Sequence, residues 1–234
     1  MRQKVEKWQR EIIRIRGSVI RLLDHRRWNR VYEAIVSANP RLRPGTPVLD
    51  YFRNVYADYA VMAIRRQVRA DGDSVSLVGL LEDLAENSSF ITRAWTRQLY
   101  ERPLASGERY PQQMAHTLAD GTFTQFADST AAHLDETIVR NDIERLSGAT
   151  SKILGHSDRA VAHDDRRRAR DAATFDDLNL AIDMIEEIAK RYLLLLTGES
   201  MIQMTPIDVT NSIGVFRFTW IDLDHPPQLG KETL

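Results

Sequence analysis

Residues 174–198 read TFDDLNLAIDMIEEIAKRYLLLLTG. Leu178, Ala181, Ile182, Ile185, Ile188, Ala189, Tyr192, Leu195 and Leu196 return every three or four positions, so a helix over residues 175–196 carries one continuous apolar face. Both of its ends are signalled. Thr174 offers a hydroxyl oxygen to the free amides of the first turn, and Asp177 completes a capping-box pattern with Asp in place of the usual Glu or Gln. Thr197 and Gly198 supply the stop. A helix with one apolar stripe must bury it, so this stretch dictates a fold of packed helices wherever the rest of the chain supplies them.

The rest of the chain does so. Trp8, Ile12, Ile15, Val19, Leu22, Val31 and Ile35 predict a first helix over residues 5–37, weakened at its centre by Gly17 and stopped by NPRLRPGTP at residues 39–47. A second helix follows, with Phe52, Val55, Tyr56, Tyr59, Met62 and Ala63 as its stripe, ending before Asp71. LVGLLEDLAEN after Ser76 predicts a shorter helix, and residues 90–100 another beyond the break at Asn87, Ser88 and Ser89. RPLASGERYPQQ at residues 102–113 reads as an irregular connection. From Phe126 onward Ala131, Leu134, Ile138, Ile143 and Leu146 predict a helix that pauses at SGAT, residues 147–150. A further helix then carries Ile153, Leu154, Ala160, Val161 and Ala162. Short connections favour antiparallel neighbours, so the expected fold is all-α, an up-and-down antiparallel bundle. The last segment, with VFRFTW at residues 215–220, reads as a short nonhelical extension. The chain thus divides into a helical domain over residues 1–198 and an extension over residues 199–234.

Composition narrows the function classes. The 234 residues hold 32 Lys and Arg against 33 Asp and Glu, and no cysteine, which removes disulfides, thiol nucleophiles and cysteine metal sites. Neither a signal peptide nor a run of some 20 apolar residues is present, so a soluble, cytoplasmic chain without membrane contact is expected. The near-zero net charge conceals two opposites. Residues 1–30 carry ten Lys or Arg against Glu6, Glu11 and Asp24, a balance of +7, whereas residues 171–234 carry eleven acids against four bases, a balance of -7. Those halves could pair with each other, within one subunit or between two. Alternatively, Arg14, Arg21 and Arg26, with Trp8 and Trp28, could meet nucleic acid through phosphate pairing and stacking, since arginine offers a planar donor fork to phosphate.

The chemistry-bearing stretch is KILGHSDRAVAHDDRRRAR, residues 152–170. In a helix His156, Arg159 and His163 form one stripe, three and four residues apart. Histidine can accept or donate a proton and arginine can hold a phosphate, a combination suited to metal-independent RNA cleavage by a ribose 2'-hydroxyl. Pairing of Arg159 with a nearby acid and packing of His163 at a helix end account for the same residues structurally.

HSDRAVAHDD at residues 156–165 resembles the histidine-bearing helix of the HEPN superfamily (higher eukaryotes and prokaryotes nucleotide-binding), in particular its abortive-infection branch. AVMAIRRQVRADGDSVSLVGLLEDL at residues 60–84 and the stretch at residues 174–198 point the same way. The resemblance implies a helical bundle over residues 1–198 that pairs as a homodimer, acting as an RNA-directed toxin or phage-defence protein, with an antitoxin or regulatory protein as a further partner. Active members are ribonucleases. By resemblance His163 would be the acid/base residue and Arg159 the phosphate-stabilising one, with His156 or Asp158 orienting them. One departure stands out: the superfamily's arginine precedes its histidine by four to six intervening residues, and Arg159 precedes His163 by three. A noncatalytic HEPN-like RNA- or protein-binding regulatory protein is therefore the alternative.

Arg65 and Arg66, in an IRR stretch that resembles a feature of the branch, are candidate RNA contacts that could reach the histidine helix across the bundle. Arg166 and Arg167 could extend a phosphate track, although Asp164, Asp165 and Asp171 make an ordinary charged loop of the same segment. His156 and His163 would lie roughly 10 Å apart along a helix, too far to share one zinc ion. No phosphate-binding or dinucleotide glycine motif occurs, so neither cofactor nor metal is expected.

Overall fold

The structure is a computed structural model that describes residues 2–38, 47–69, 74–103, 107–162 and 173–200; the side chains of residues 156–162 are outside the description. The described residues form seven α-helices and no strand, an all-α, up-and-down bundle. They are α1 (Arg2–Ala38), α2 (Pro47–Val68), α3 (Leu77–Glu86), α4 (Arg93–Tyr100), α5 (Gln112–Phe123), α6 (Glu136–Ala162) and α7 (Phe175–Thr197). None of these helices is long and apolar enough to cross a membrane. The segment expected as a C-terminal extension lies almost wholly outside the described residues.

The stretch that decides the fold behaves as its sequence dictates. Thr174 accepts from the Asp177 amide while Asp177 accepts from the Thr174 amide, the reciprocal capping box, and Gly198 closes α7 in the left-handed conformation at φ 72°. The two Thr174 bonds and one from Lys152 hold the Asp177 carboxyl at about 2, well below the usual range. The α7 stripe from Leu178 to Leu196 is buried, and α7 packs against α1, α2 and α6. It is the central post of the bundle.

Several sequence expectations are corrected. The helix expected from residue 126 begins at Glu136: Phe126 to Asp135 is turns and an isolated bridge between Thr92 and His133. Nor is there a pause at residues 147–150: α6 runs through them, with the Thr150 hydroxyl satisfied by the Leu146 carbonyl at 2.7 Å. The core-facing row of α6 is Val139, Asp142, Leu146, Thr150 and Ile153, and two polar members hide it from an apolar pattern. Helix α5 begins at the last two residues of the expected irregular connection and runs on through a stretch where no element was expected. Of its buried residues, Ala115, Ala119, Thr122 and Phe123, the first three are too small to raise a periodic signal, but they let α5 approach Tyr100, whose hydroxyl bonds Thr122 at 2.7 Å.

Helix α2 carries two apolar rows, and the structure buries the one made of Leu49, Tyr56, Ala60 and Ile64. The small Ala60 lets α2 sit close, with Tyr56 stacked on Phe175 at 6.0 Å. Phe52, Val55 and Met62, expected in the core, are 51%, 49% and 52% exposed. At this end Phe52 meets Tyr32 of α1 at 5.6 Å, while Tyr32 donates to the Leu49 carbonyl.

At the opposite end of α1, fully buried Trp8 donates its indole N–H to Asp83 of α3 at 2.9 Å, beside Lys4 and Lys7. Burial pushes the Asp83 carboxyl up, but bonds from Lys4, Trp8 and Lys7 outweigh it, and the net direction is down. A carboxyl lowered by folding stabilises above its unfolded value of about 3.9 and loses that contribution as pH falls further. Trp8→Phe should therefore cost about 1–2 kcal/mol at neutral pH and flatten the acid limb of a urea-midpoint series. An unchanged acid limb would show that Asp83 is not what α1 holds on to.

Candidate nucleic-acid interface

The basic first helix divides its arginines between two tasks. Arg26, 8% exposed, reaches Asp183 and Glu186 of α7, and Arg16 pairs with Glu199 at 2.7 Å. Part of the opposed charge is thus spent inside one subunit. Trp8 is likewise committed to the core. Arg14 and Arg21 are exposed on another face, and no acid partners them among the described residues.

That face belongs to a groove. On α1, Ser18, Arg21 and His25 follow one another at helical spacing; on α2, Tyr59, Met62 and Arg66 do the same. His25 stacks on Tyr59 with ring centroids 3.7 Å apart and planes 22° from parallel, joining the two rows. Arg21 donates to the Ser18 hydroxyl at 3.2 Å, which props its guanidinium over the groove. Arg66 is exposed, with no hydrogen bond or ion pair among the described residues. Between the rows lies a pocket of about 80 Å³ lined by Ser18, Arg21, Tyr59, Met62, Ala63, Arg66 and Gln67. Gln67 is only 3% exposed. Two unneutralised guanidinium groups beside a His–Tyr stack can hold an anionic group and offer aromatic surface to its neighbour.

The residues singled out from the sequence are distributed as follows. Arg66 lines this pocket; Arg65 is the adjacent, partly buried residue of α2. Helix α2 packs against α6 as expected, but Arg66 lies beside α1 residues. His156, Asp158 and Arg159 occupy the last two turns of α6, with Arg159 three positions before the end of the helix at Ala162. His163, Arg166 and Arg167 lie outside the described residues. No family model, curated protein or solved structure matches the chain.

Sequence reasoning named Arg21 and Arg66 but not Tyr59 as a site residue, nor His25, Ser18 or Gln67. A usable signal was there: the α1 row at residues 14, 18, 21, 25, 28 and 32 keeps a three-four spacing and mixes arginine with histidine and aromatics. Such a row facing a second helix is a groove wall. The structure also buries one charged group that sequence reasoning passed over. Asp142 of α6, 2% exposed, accepts from Arg191 at 2.7 and 3.0 Å, from Arg145 at 3.0 Å and from the Tyr192 hydroxyl at 3.1 Å. Burial, with the Asp142 charge next, drives the Tyr192 hydroxyl far upward, so it stays a donor at any accessible pH. Arg191 and Tyr192 both belong to α7, so Asp142 ties α6 to α7.

Proposed function

We propose that this chain is an RNA-directed toxin or phage-defence protein of HEPN type, engaging single-stranded RNA along the α1–α2 groove. One observation carries the RNA contact: Arg21 and Arg66, exposed and unpartnered by acids, flank the stacked His25–Tyr59 pair. Phosphates would take the guanidinium groups, and a base would lie against exposed His25. The sequence resemblance at residues 60–84, 156–165 and 174–198 and the all-α bundle support the wider assignment.

In the enzymatic form of this reading the ribose 2'-hydroxyl gives its proton to His163 and attacks the adjacent phosphorus. The bond to the 5'-oxygen breaks, that oxygen takes up a proton, and a 2',3'-cyclic phosphate remains. Arg159 would hold the phosphate, with His156 or Asp158 orienting the pair and Arg65, Arg166 and Arg167 as further phosphate contacts. A homodimer would bring two such helices to one cleft, and an antitoxin or regulatory protein would restrain it. The second reading, a noncatalytic RNA- or protein-binding regulator, is favoured by the three-residue spacing of Arg159 and His163.

The test is one incubation of purified protein with labelled single-stranded RNA in EDTA, read both for retention and for cyclic-phosphate ends. Retention that weakens with salt, and cleavage that His163→Ala abolishes, are the expected results. Retention with no cleavage selects the regulator. Absence of retention at low salt removes the RNA assignment altogether.

A further inference from the structure

Past Arg26 the apolar stripe of α1 changes faces. The positions that continue the buried row of Val19, Leu22 and Arg26 are Arg30, Glu33 and Ser37, whereas the apolar residues now stand at Trp28, Tyr32 and Ile35. The first turns of α2 repeat that spacing, with Val48, Phe52 and Val55 four and three residues apart and Tyr51 alongside. Ring contacts fix the register of the two helices: His25 meets Tyr59 and Tyr32 meets Phe52, so the pair runs antiparallel and brings Trp28 level with Val55 and Ile35 level with Val48. The combined face stays in water. Val48 and Tyr51 are 54% and 62% exposed, Phe52 and Val55 are half exposed, and Trp28 is 36% exposed. Monomeric proteins rarely leave large apolar side chains grouped this way.

The size and charge of the face say what fits it. At these exposures Trp28, Tyr51, Phe52 and the two valines, with half-buried Ile35, leave on the order of 500 Å² of apolar surface per chain. A standard protein interface takes about 800 Å² from each partner, roughly 60% of it apolar, which is a similar amount. The exposed charged residues on these turns are Arg30 and Arg53 against Asp50 and Asp58, a balance of zero. Such a surface draws in no polyanion and does not repel a copy of itself. Two helices sharing one apolar face are also half of a four-helix bundle, and a twofold axis supplies the other half from the same sequence.

We propose that this face is a homodimer interface, in which the α1–α2 pair of one copy packs on that of a second copy as an intermolecular four-helix bundle. The interface does not depend on RNA binding. His25 and Tyr59 stand one turn beyond Trp28 and Val55, so the grooves of two joined copies flank it on either side.

The test is sedimentation velocity of the nuclease-treated full chain over a range of concentrations, with no RNA added. Wild type should run as a dimer that dissociates on dilution. Val48→Glu with Val55→Glu sets two carboxylates from each copy into the apolar contact and should weaken association by about a hundredfold. Both side chains are exposed, so at a dilution where wild type is monomeric the two proteins should melt alike. Because the chain has no cysteine, a single introduced thiol reports its position. Tyr51→Cys or Val55→Cys should be joined between copies by a short bis-maleimide, whereas Gly148→Cys, facing open space on α6, should not. A wild-type monomer at the highest soluble concentration overturns the proposal. So does a dimer that survives Val48→Glu with Val55→Glu, or one that links through Gly148→Cys alone. None of these results touches the RNA reading, which retention measures separately. Should the double variant fold poorly, cross-linking of the single-cysteine chains decides.

Discussion

Asp142→Asn should lower the stability of the bundle by about 3 kcal/mol, the largest loss expected from any isosteric change in this chain. The carboxylate receives four donated hydrogen bonds from three residues: two from Arg191, one from Arg145 and one from the Tyr192 hydroxyl. Asparagine would turn an amide N–H₂ toward the Arg191 guanidinium, which only donates and reaches both carboxylate oxygens. Arg145 and Arg191, with side chains 41% and 22% exposed, can partly rehydrate, which places the cost at the low end for a broken buried pair. Tyr192 cannot, being fully buried. Arg191 also donates to the Gln125 carbonyl at 2.7 Å and lies over the Phe126 ring, so the disturbance reaches the connection that leads into α6. Thermal unfolding should show a midpoint roughly 6–12 °C lower. Tyr192→Phe, which removes one donor and leaves the ion pairs, should cost only about 1 kcal/mol. If Asp142→Asn unfolds within about 0.5 kcal/mol of wild type, the α6–α7 tie is held by apolar packing alone.

The double variant Arg21→Glu with Arg66→Glu should weaken single-stranded RNA binding by about a hundredfold near 0.1 M salt, with little change in stability. Each arginine that meets a phosphate releases a counterion, so losing two contacts lowers the slope of log affinity against log salt by about 1.4. Charge reversal adds repulsion to that loss. Both side chains are exposed and neither is tied to an acid, so the fold should stay within about 0.5 kcal/mol. Arg2→Glu is the control. Arg2 sits on the same helix with its side chain 93% exposed, 19 residues from Arg21, or roughly 28 Å along the axis. A groove predicts that the control keeps most of its affinity. Equal losses from the double variant and the control would mean that α1 attracts RNA through diffuse charge, with no defined site.

The helices were most legible where burial and apolar character coincide. In α7 every core position is an apolar residue and both caps are written in the chain, so type and boundaries follow from residues 174–198 directly. Reading failed where a buried position is polar or small. Asp142 and Thr150 interrupt the α6 row because their partners, Arg191 and the helix's own carbonyl, are not visible in a hydropathy pattern. Ala115 and Ala119 hide α5 because close approach, rather than bulk, is what they contribute. For α2 the pattern was present twice, and local sequence does not say which row meets α7. The site follows the same logic. Arg66 could be named from its type, but its pairing with Ser18 and Arg21, some 45 residues away, is a product of how α1 and α2 pack. Gln67 gave no signal at all, since burial of a polar residue beside the groove exists only once its surroundings are built.

Helix α1 runs 37 residues, roughly 55 Å, yet its buried positions stop at Arg26. From Val5 to Leu23 it is a core element, pinned by α3 and α7; its last twelve residues have no buried member and lean on α2 through Tyr32 and the Glu33–Arg53 pair. One continuous helix therefore spans two regimes of rigidity, with amides that open only when the bundle unfolds at one end and amides that fray locally at the other. The groove sits at the crossover. Its Ser18, Arg21 and His25 ride on the last turns of the anchored part, which closes at Arg26 with its pairing to Asp183 and Glu186, so a ligand bound there would meet a fixed phosphate clamp and a fixed stacking surface, with the compliant part starting just beyond.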